Sequence, residues 1–552
     1  MMIFKYRIQK HKRNRNFGRS AGCLLLFFCA GVFSSCREEK VFENIPLAIS
    51  APIVPDYADS IALPFNIAPL NFCIRPDSAS FVKGRVRITA YDSMQESKGA
   101  YIFPLKRTGG TALGIKKWKK LMQYASDGHL EVEIALRTKD GEWKVYRKLH
   151  WQVISQPIDR YLFFRASQYE EGVHGELYIA QRDLQTFDNV YIGHNRLMDG
   201  NCMNCHDCGN NDASSMVFHL REAHKGTVLM QGDSIMKIAI PADYNLRFTY
   251  PAWHPSRKII AFSTNLPHSV HYSNSVQKLL YTLDTLGSIV FLDVEKMEVF
   301  SCPELTDTCY EQVFPTWSPD GKTLYFCRSP KKEYGRFPFP QYVDSSLSMR
   351  QNRVEQIWDD LMRMDFDLET RRFSNLECAY PFSVRLHKSA TMPKVSRDGR
   401  YLMVSLLKAS TFPLQNLGDF YLMDLSDTLL LREVRELNTP GSEKGHSFSS
   451  SGNWMVFSSS RRTLAIPETY ITHFDTATGY FSKPFLVPQK RGDFYCTNLK
   501  GFVFPVLSTK PAAYTAQDVA RVAKGGAKEV KVDTSLAGFR LKEVQRVLSG
   551  GH

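Results

Sequence analysis

The second half of the chain repeats one short pattern, in which a tight turn leads into an apolar run. The pattern is complete at Phe314–Lys322, which reads FPTWSPDGK, and it recurs less completely three more times. An Asp-Gly or Ser-Gly pair in three of these units supplies the backbone conformation of a tight turn. The apolar runs that follow the turns are 258–263, 323–327, 401–405 and 454–458. A chain of this kind assembles copies of one supersecondary unit.

A second apolar run, ending in aspartate, follows each of these strands. These runs are 289–293, 361–365, 420–424 and 470–475. Units of four strands that repeat radially are the blades of a β-propeller. Further strands predicted at 175–184 and 227–240 extend the array to about five to seven blades. We therefore predict an all-β chain in which residues 158–505 form a β-propeller.

The stretch Phe314–Lys322 resembles the hallmark of the TolB-type propeller family, Phe-Pro-x-Trp-Ser-Pro-Asp-Gly-Lys. The third repeat carries Val395 in place of the tryptophan, and the fourth, Gly445–Asn453, lacks both the proline and the tryptophan. The resemblance covers about residues 159–505 and implies six blades. Propellers host many unrelated activities, so the resemblance implies the fold and leaves the function open.

Residues 37–157 show a different pattern, in which apolar and polar residues alternate as in half-buried strands. These segments are 61–72, 82–91, 130–137 and 143–154. Asp140-Gly141 separates the last two and predicts a hairpin turn. One amphipathic helix is predicted at Leu113–Tyr124, and its inner face consists of Trp118, Leu121 and Met122. We expect a β-sandwich of immunoglobulin or fibronectin type that serves as a spacer or interaction module.

The pentapeptide Cys202-Met203-Asn204-Cys205-His206 has the form that attaches a c-type haem. Two thiols add to the two vinyl groups of one porphyrin, so they must lie a fixed short distance apart. The next residue then presents an imidazole to the iron. We therefore predict one haem c held by Cys202 and Cys205, with His206 as the proximal iron ligand. Two alternatives stay open: a zinc turn that also uses Cys208, and thiols without a cofactor.

The haem motif lies inside the predicted propeller, in a segment 191–226 that we interpret as a helical insertion between early blade strands. The sequence of Asn211–His224 predicts a short helix. Met216 and His219 are three residues apart and would share one face of it, so either could be the distal iron ligand. The alternative is that both are structural residues. The more remote candidates are His194 and His224.

The first 36 residues have the organisation of an export signal. Seven basic residues without an acid precede an apolar stretch at Ala21–Phe33, which is too short to span a bilayer. Ser34–Cys36 resembles a bacterial lipobox, which implies that Cys36 is acylated and becomes the mature N-terminus. The alternative is ordinary signal cleavage nearby, with Cys36 unmodified. Glu38-Glu39 resembles the surface-export signal of Bacteroidetes lipoproteins, so we expect a lipid anchor in the outer membrane, facing the periplasm or the cell surface.

The net charge and the remaining cysteines bear on two further properties, nucleic-acid binding and disulfide formation. The formal net charge of +14 falls to +7 after the signal, which holds seven of the 70 basic residues and none of the 56 acidic ones. The sequence has no basic stripe with interleaved aromatic residues, so nucleic-acid binding is not expected. In an oxidising compartment Cys302 and Cys309 could close a small disulfide loop, or both could stay as thiols.

The combination of propeller and haem motif also resembles a group of Bacteroidetes lipoproteins described as TolB-like proteins with a cytochrome c motif. Besides Cys202–His206, the resemblance rests on Met216–Arg221, on Gly226-Thr227 and on Phe485–Gln489. It implies the architecture, the cofactor and the compartment, but no pathway.

Two classes of function follow from these features. The first is an electron-transfer or redox-responsive lipoprotein that exchanges electrons with an envelope partner docked on the propeller. The second is an envelope interaction scaffold of TolB type, in which the haem is structural or absent; a haem peroxidase is a third candidate. A hydrolase is not expected, because Gly445–Ser449 lacks the second glycine of a nucleophile elbow. The C-terminal tail, 506–552, is too short for a hydrolase domain and contains one predicted amphipathic helix at 516–523.

Overall fold

The computed structural model describes residues 40–75, 81–168, 175–244, 246–274, 277–331, 358–408, 418–464 and 466–540. The predicted export signal and the predicted acylation site at Cys36 lie outside these ranges. Within them, no helix is both long enough and apolar enough to cross a bilayer.

One six-stranded sheet dominates the N-terminal part of the chain. The first eight strands are β1 (Ile53–Val54), β2 (Ala62–Pro64), β3 (Cys73–Ile74), β4 (Phe81–Tyr91), β5 (Ser97–Pro104), β6 (His129–Thr138), β7 (Trp143–Val145) and β8 (Leu149–Ile154). The large sheet has the order β2-β8-β6-β4-β5, and β7 pairs with β6 beside this path. The hairpin predicted at Asp140-Gly141 joins β6 to β7, and Gly141 has a φ of 90° there.

The helix α1 (Ile115–Tyr124) packs on this sheet against β4 and β5. Its buried residues are Trp118, Leu121 and Met122, as the sequence predicts. The indole N–H of Trp118 donates to the carbonyl of Ile67 at 2.8 Å, so the helix is also tied to the segment between β2 and β3.

The two facing sheets of a β-sandwich are not confirmed for the N-terminal part. Beside the large sheet, the described residues of this part form one further sheet, in which β1 and β3 pair over two residues each. The predicted strand 61–72 is present only as β2, because Pro64 and Pro69 interrupt the row of backbone donors that a continuous strand needs. The N-terminal part is therefore built on one sheet covered by a helix.

Six further sheets follow along the described parts of the chain. Sheet 1 contains β9 (Tyr161–Gln168), β10 (Leu177–Asp183) and β11 (Asn189–His194). Sheet 2 contains β12 (Met203–Cys208), β13 (Ser215–Leu220), β14 (Gly226–Gln231) and β15 (Ser234–Ala239). Sheet 3 contains β16 (Thr249–Trp253), β17 (Ile259–Asn274), β18 (Gln277–Asp293) and β19 (Glu298–Phe300).

The second three sheets carry the clearest repeats of the sequence pattern. Sheet 4 contains β20 (Tyr310–Trp317), β21 (Thr323–Pro330), β22 (Asp360–Asp367) and β23 (Arg372–Tyr380), followed by the short helix α2 (Phe382–Arg385). Sheet 5 contains β24 (Ser389–Val395), β25 (Tyr401–Leu407), β26 (Asp419–Asp424) and β27 (Asp427–Glu433). Sheet 6 contains β28 (Glu443–Phe448), β29 (Trp454–Ser459), β30 (Glu468–Asp475), β31 (Tyr480–Phe481) and β32 (Phe485–Leu486). The turn predicted in the FPTWSPDGK stretch joins β20 to β21, where Gly321 has a φ of 75°.

The six sheets are arranged in a ring. After the short helix α3 (Phe494–Thr497), strand β33 (Lys500–Ser508) returns to sheet 1 and pairs antiparallel with β9. The strands β33, β12, β16, β20, β24 and β28, which we call the inner strands, each contact the next one, and β28 contacts β33 again. Antiparallel sheets whose inner strands meet in a closed circle form a β-propeller. The propeller fold predicted from the repeats is therefore confirmed.

The predicted C-terminal tail is part of the propeller as far as residue 540. Helix α4 (Ala516–Lys524) begins at a capping box formed by Thr515 and Asp518, at the place where the sequence predicts a helix. Its buried residues are Ala516, Val519, Ala520 and Ala523. Strands β34 (Lys528–Glu529) and β35 (Lys531–Val532) then pair in parallel with β15 and β19. The tail thus covers the outer edges of sheets 2 and 3.

Most of the haem motif lies in the blade strand β12, Met203–Cys208, and the helical insertion predicted for it is wrong. Residues 191–226 supply part of β11 and all of β12 and β13, which are strands of sheets 1 and 2. The helix predicted at Asn211–His224 is wrong for the same reason: Ser215–Leu220 is β13, paired with β12 and β14. A strand with apolar residues on both faces shows no alternation, so its sequence reads equally well as a short helix.

Candidate functional site

Each inner strand contains a β-bulge at the same place, where its pairing with the neighbouring strand shifts register. One residue of each bulge has a positive φ between 47° and 58°: Cys205, Tyr250, Phe314, Met392, Gly445 and Phe504. The residues that follow these are Pro251, Pro315, Pro393, Pro505, His206 and His446. The Cys-His end of the haem motif therefore occupies the place that an apolar residue and a proline hold in four other sheets.

The six bulges surround a cavity at the centre of the ring. Its unfilled space amounts to about 720 Å³ and is partly open to solvent. All twelve bulge residues line it, together with Asn204, Asp207, Lys394, Ser447 and Val506. The wall is mainly apolar with a few polar groups, which is the usual character of a site for an organic ligand or cofactor.

The structure brings only part of the haem motif to this cavity. Cys205 and His206 line it, whereas Cys202 is not among the described lining residues. Cys202 is buried in the apolar cluster between sheets 1 and 2, together with Phe163 and Met203. Val506 belongs to the cavity wall and also packs on that cluster, so the cluster and the cavity adjoin.

A buried arginine from sheet 1 lies beside the motif. Arg165 donates from Nε to the carbonyl oxygen of Met203 at 3.1 Å, and its guanidinium also interacts with the thiol of Cys202. Burial lowers the pKa of Arg165, while the neighbouring Cys202 and Cys205 raise it. Arg165 therefore places a positive charge next to both cysteines of the motif.

His206 is buried in the cavity wall, with 4% of its surface exposed. Among the residues that the structure describes, its ring nitrogens make no contact with good hydrogen-bond geometry, and only the backbones of Phe163 and Phe504 come near enough for a weak one. Burial and the charge of Arg165 lower the pKa of His206 to about 4, against a smaller opposite effect from the backbones of Phe163 and Phe504. The ring is therefore neutral at pH 7, which is the form that binds a metal.

His446 occupies the matching position in sheet 6, and its ring has a different environment. Its Nε2 lies 3.2 Å from the carbonyl oxygen of Met403 in sheet 5. The ring also packs edge-on against Phe420, with the two ring centres 5.0 Å apart. Burial, assisted by the charge of Lys394, lowers the pKa of His446 to about 3. The neutral ring can therefore donate to Met403 and fasten sheet 6 to sheet 5.

The two residues predicted as distal iron ligands lie away from the cavity. Because β13 is a strand, Met216 and His219 point to opposite faces of sheet 2 and not to one face of a helix. Met216 belongs to the apolar cluster that contains Cys202. The Nδ1 atom of His219 is 3.3 Å from the hydroxyl of Thr227, and burial lowers the pKa of this histidine to about 3. Neither side chain is among the lining residues within the described ranges.

The structure also does not bring the two more remote candidate iron ligands together at one site. His194 and His224 each face a carboxylate, Glu176 at 3.4 Å and Asp199 at 2.8 Å. In the part of the chain that the structure covers, no three His, Cys, Asp or Glu side chains are arranged to hold a metal ion. The disulfide between Cys302 and Cys309 stays a prediction.

Sequence reasoning missed several residues of the site. Met392 comes from sheet 5, which is opposite sheet 2 in the ring, and it places a thioether in the cavity wall. Asp207 is buried there, which raises its pKa to about 6, and Lys394 lines the same wall. The repeated Tyr-Pro, Phe-Pro and Met-Pro pairs were a signal for this ring. Arg165 had no such signal, because only the folding of sheet 1 against sheet 2 brings it to the motif.

Comparison with known proteins finds only distant similarity. The sequence matches no protein-family model, and no curated protein matches it. Among solved structures, a putative TolB from Agrobacterium tumefaciens is 10% identical, with a TM-score of 0.31 over 61% of this chain and 92% of that one. A hypothetical selenium-binding protein from Sulfolobus tokodaii is 8% identical, with a TM-score of 0.36 over 66% and 96%. The β-propeller domain of the Trilobed protease from Pyrococcus furiosus is 12% identical, with a TM-score of 0.28 over 63% and 88%.

Proposed function

We propose that this protein is an exported lipoprotein, anchored through Cys36, whose six sheets are the six blades of one propeller with a single c-type haem at its centre. Cys202 and Cys205 hold the porphyrin, and His206 binds the iron. The environment of His206 supports this assignment best. Its ring is buried and neutral, and its nitrogens have only weak contacts with the backbones of Phe163 and Phe504, none with the geometry of a hydrogen bond, whereas the matching His446 lies 3.2 Å from the Met403 carbonyl. Buried polar groups normally have a partner, and a bound iron would supply one.

The surroundings of His206 fit a haem at most points. Cys205 lies in the same wall, and Phe314 and Phe504 provide apolar surface for a porphyrin. Lys394, from the sheet opposite the cysteines, supplies positive charge for its acidic side groups. Cys202 fits less well, because its thiol must leave the apolar cluster before it can join Cys205 at one porphyrin.

The residues of the cavity define what the site can do. When bound, haem supplies one-electron oxidation and reduction. His206 presents a neutral nitrogen, and Met392, which lines the cavity from the opposite side of the ring, would be a candidate second iron ligand in place of Met216 or His219. A His–Met pair favours a high reduction potential. We therefore favour electron transfer with an envelope protein partner over peroxide chemistry, which needs an open distal position.

Expression of the full chain together with a cytochrome c maturation system tests this proposal. We expect a c-type pyridine haemochrome spectrum and a haem stain that stays with the denatured chain. Replacing Cys202→Ala and Cys205→Ala together must remove both signals. The matched control is Cys327→Ala, which removes a buried cysteine of sheet 4 and must leave both unchanged. A native chain that carries no covalent haem under these conditions would contradict the proposal.

An envelope scaffold of TolB type is the second candidate, and one observation favours it. His206 stands where the other five inner strands have a proline or His446, so a residue at this position can have a purely structural role. A scaffold does not depend on haem for its stability. The chain made with the maturation system and the chain made without it should then unfold at the same urea concentration.

A further inference from the structure

Two cysteines from distant parts of the chain meet where the N-terminal part contacts the propeller. Cys73 lies in β3 and Cys496 in α3; they are 423 residues apart, and their sulfur atoms are separated by 2.7 Å. A disulfide bond requires an approach to about 2.05 Å, which is a small further movement. We propose that Cys73 and Cys496 form a disulfide bond that fastens the N-terminal part to the propeller.

The backbone on both sides already holds the two cysteines in place. The side-chain amide of Asn71, two residues before Cys73, donates to the carbonyl of Gln489 at 3.1 Å. Gly492, four residues before Cys496, lies so close to the other part that a side-chain carbon on it would be 2.2 Å from the carbonyl oxygen of Phe72. Residues near each cysteine are therefore fixed against the opposite part of the chain.

The contact around the two thiols is a shared apolar core. One buried cluster contains Phe72 and Ile74 from the N-terminal part and Phe485 and Tyr495 from the propeller. The hydroxyl of Tyr495 donates to the carbonyl of Val487 at 2.7 Å, which positions the helix that carries Cys496. Because both parts bury side chains in one cluster, the sulfur atoms do not depend on mobile segments to meet.

The difference in exposure gives the two thiols different roles in forming the bond. Cys73 is buried and Cys496 is exposed, so an oxidant reaches Cys496 first. The oxidant is a disulfide of a small molecule or of an envelope oxidoreductase. The Cys496 thiolate attacks one of its sulfurs and releases one thiol, and Cys73 then displaces the second thiol from the mixed disulfide. Cys73 and Cys496 lose two protons and two electrons, and the oxidant is reduced to two thiols.

Burial favours this order of events. Burial, with help from the hydrogen bond to Cys496, raises the pKa of Cys73 to about 12. The Cys73 thiol is therefore a poor first nucleophile at neutral pH. It acts in the second step, where the mixed disulfide is held directly beside it.

The test uses the purified full chain without haem, incubated with oxidised glutathione and then alkylated and digested. We expect one peptide pair joined through Cys73 and Cys496, lighter by two hydrogen atoms than the two separate peptides and split by a reductant. On a denaturing gel without reductant, the oxidised chain should migrate faster, because a loop of more than 400 residues stays closed. Cys73→Ser and Cys496→Ser should each abolish the fast band, and the exposed control Cys309→Ser should keep it.

The result can overturn the proposal in two ways. Complete alkylation of both Cys73 and Cys496 after oxidation would show that the bond does not form. A fast band that survives in Cys496→Ser would show that other cysteines pair. Cys496 is exposed, so its replacement keeps the test valid even where Cys73→Ser prevents folding. Because the haem-free chain is used, either outcome is independent of the proposed cytochrome function.

Discussion

Sheets 2 and 6 place a histidine at the same point of the same bulge, yet the two histidines have different surroundings. In sheet 6, Gly445 leaves the cavity side without a side chain, and His446 faces the carbonyl of Met403 at 3.2 Å. In sheet 2, Cys205 brings a thiol to the cavity, and within the described ranges His206 has only weak contacts with the backbones of Phe163 and Phe504. One backbone geometry therefore supports a structural histidine in one sheet and a candidate ligand in another.

The comparison shows how a repeat fold can acquire a site without a new segment. The bulge, its positive φ and its place on the ring exist in all six inner strands. Sheet 2 differs from the others by side chains and not by an insertion. The candidate haem site therefore uses a bulge position that is present in every inner strand of the fold.

The largest expected effect is a difference in the amount of covalent haem between the variants of Cys205 and Cys202. Cys205 lines the cavity and Cys202 does not, so Cys205→Ala should lose most of the covalent haem and more of it than Cys202→Ala loses. Cys202→Ala should leave a single thioether through Cys205 and a pyridine haemochrome band intermediate between b-type and c-type. Gel haem stain and absorption spectra measure both. Equal loss in the two variants would show that Cys202 also reaches the porphyrin fully.

The second effect is the pH dependence of stability in the haem-free chain. The pKa values of His206 and His446 are lowered from 6.5 to about 4 and about 3. As the pH falls from 7 to 4, both histidines become protonated in the unfolded chain while they stay largely neutral in the folded chain. Each ring should therefore lower the free energy of unfolding by about 3 kcal/mol over this range. Asp207 acts in the opposite direction, because its pKa is raised to about 6. Urea unfolding at several pH values measures the slope.

Neutral replacements isolate the two histidines in this experiment. His206→Gln and His446→Gln should each remove part of the acid destabilisation while Asp207 stays constant. Haem binding should then suppress the His206 share and leave the His446 share unchanged, since only the first ring is a ligand. A His206 contribution that persists in the haem-loaded chain would be incompatible with iron binding by this ring.

The smallest effect concerns the bulge backbone itself. Cys205 and Gly445 have φ values of 57° and 58°, in a region that costs a residue with a side chain about 1 kcal/mol. Cys205→Gly should therefore raise the free energy of unfolding of the haem-free chain by about 1 kcal/mol. Gly445→Ala should lower it by at least as much, because the added carbon would lie 3.1 Å from the ring of Phe504. Urea denaturation checks both; the same sign for both variants would refute this account.

The sequence predicted those parts of the fold that are determined by residues close together in the chain. The FPTWSPDGK stretch located β20, its turn and β21, and the helix with Trp118 was found from its spacing. The pairing of β33 with β9 was not predictable in this way, because it joins residues more than 300 positions apart. The helix at Asn211–His224 failed because a strand buried on both faces has no distinguishing period.

The candidate site was predictable to a similar degree. The spacing of Cys202, Cys205 and His206 was visible at once, since short-range chemistry dictates it. The proposal of Met392 as second iron ligand was not predictable, because it depends on which residue faces sheet 2 across the ring. Met392 stands there, 187 residues after Cys205, and only the register of the bulges identifies it.

Ring closure by β33 has a consequence for the order in which the molecule is made. The wall of the cavity beside sheet 2 includes Phe504 and Pro505, so it is incomplete until the last part of the propeller has been exported. The segment that carries Cys202 and Cys205 emerges about 300 residues earlier. If the proposed haem is attached, during that interval a maturation enzyme would meet the two thiols on a wall that is still incomplete, whereas afterwards it would meet them inside a finished ring. The length of chain between the second sheet and the strand that completes the first would then set the time available for attachment to the open wall.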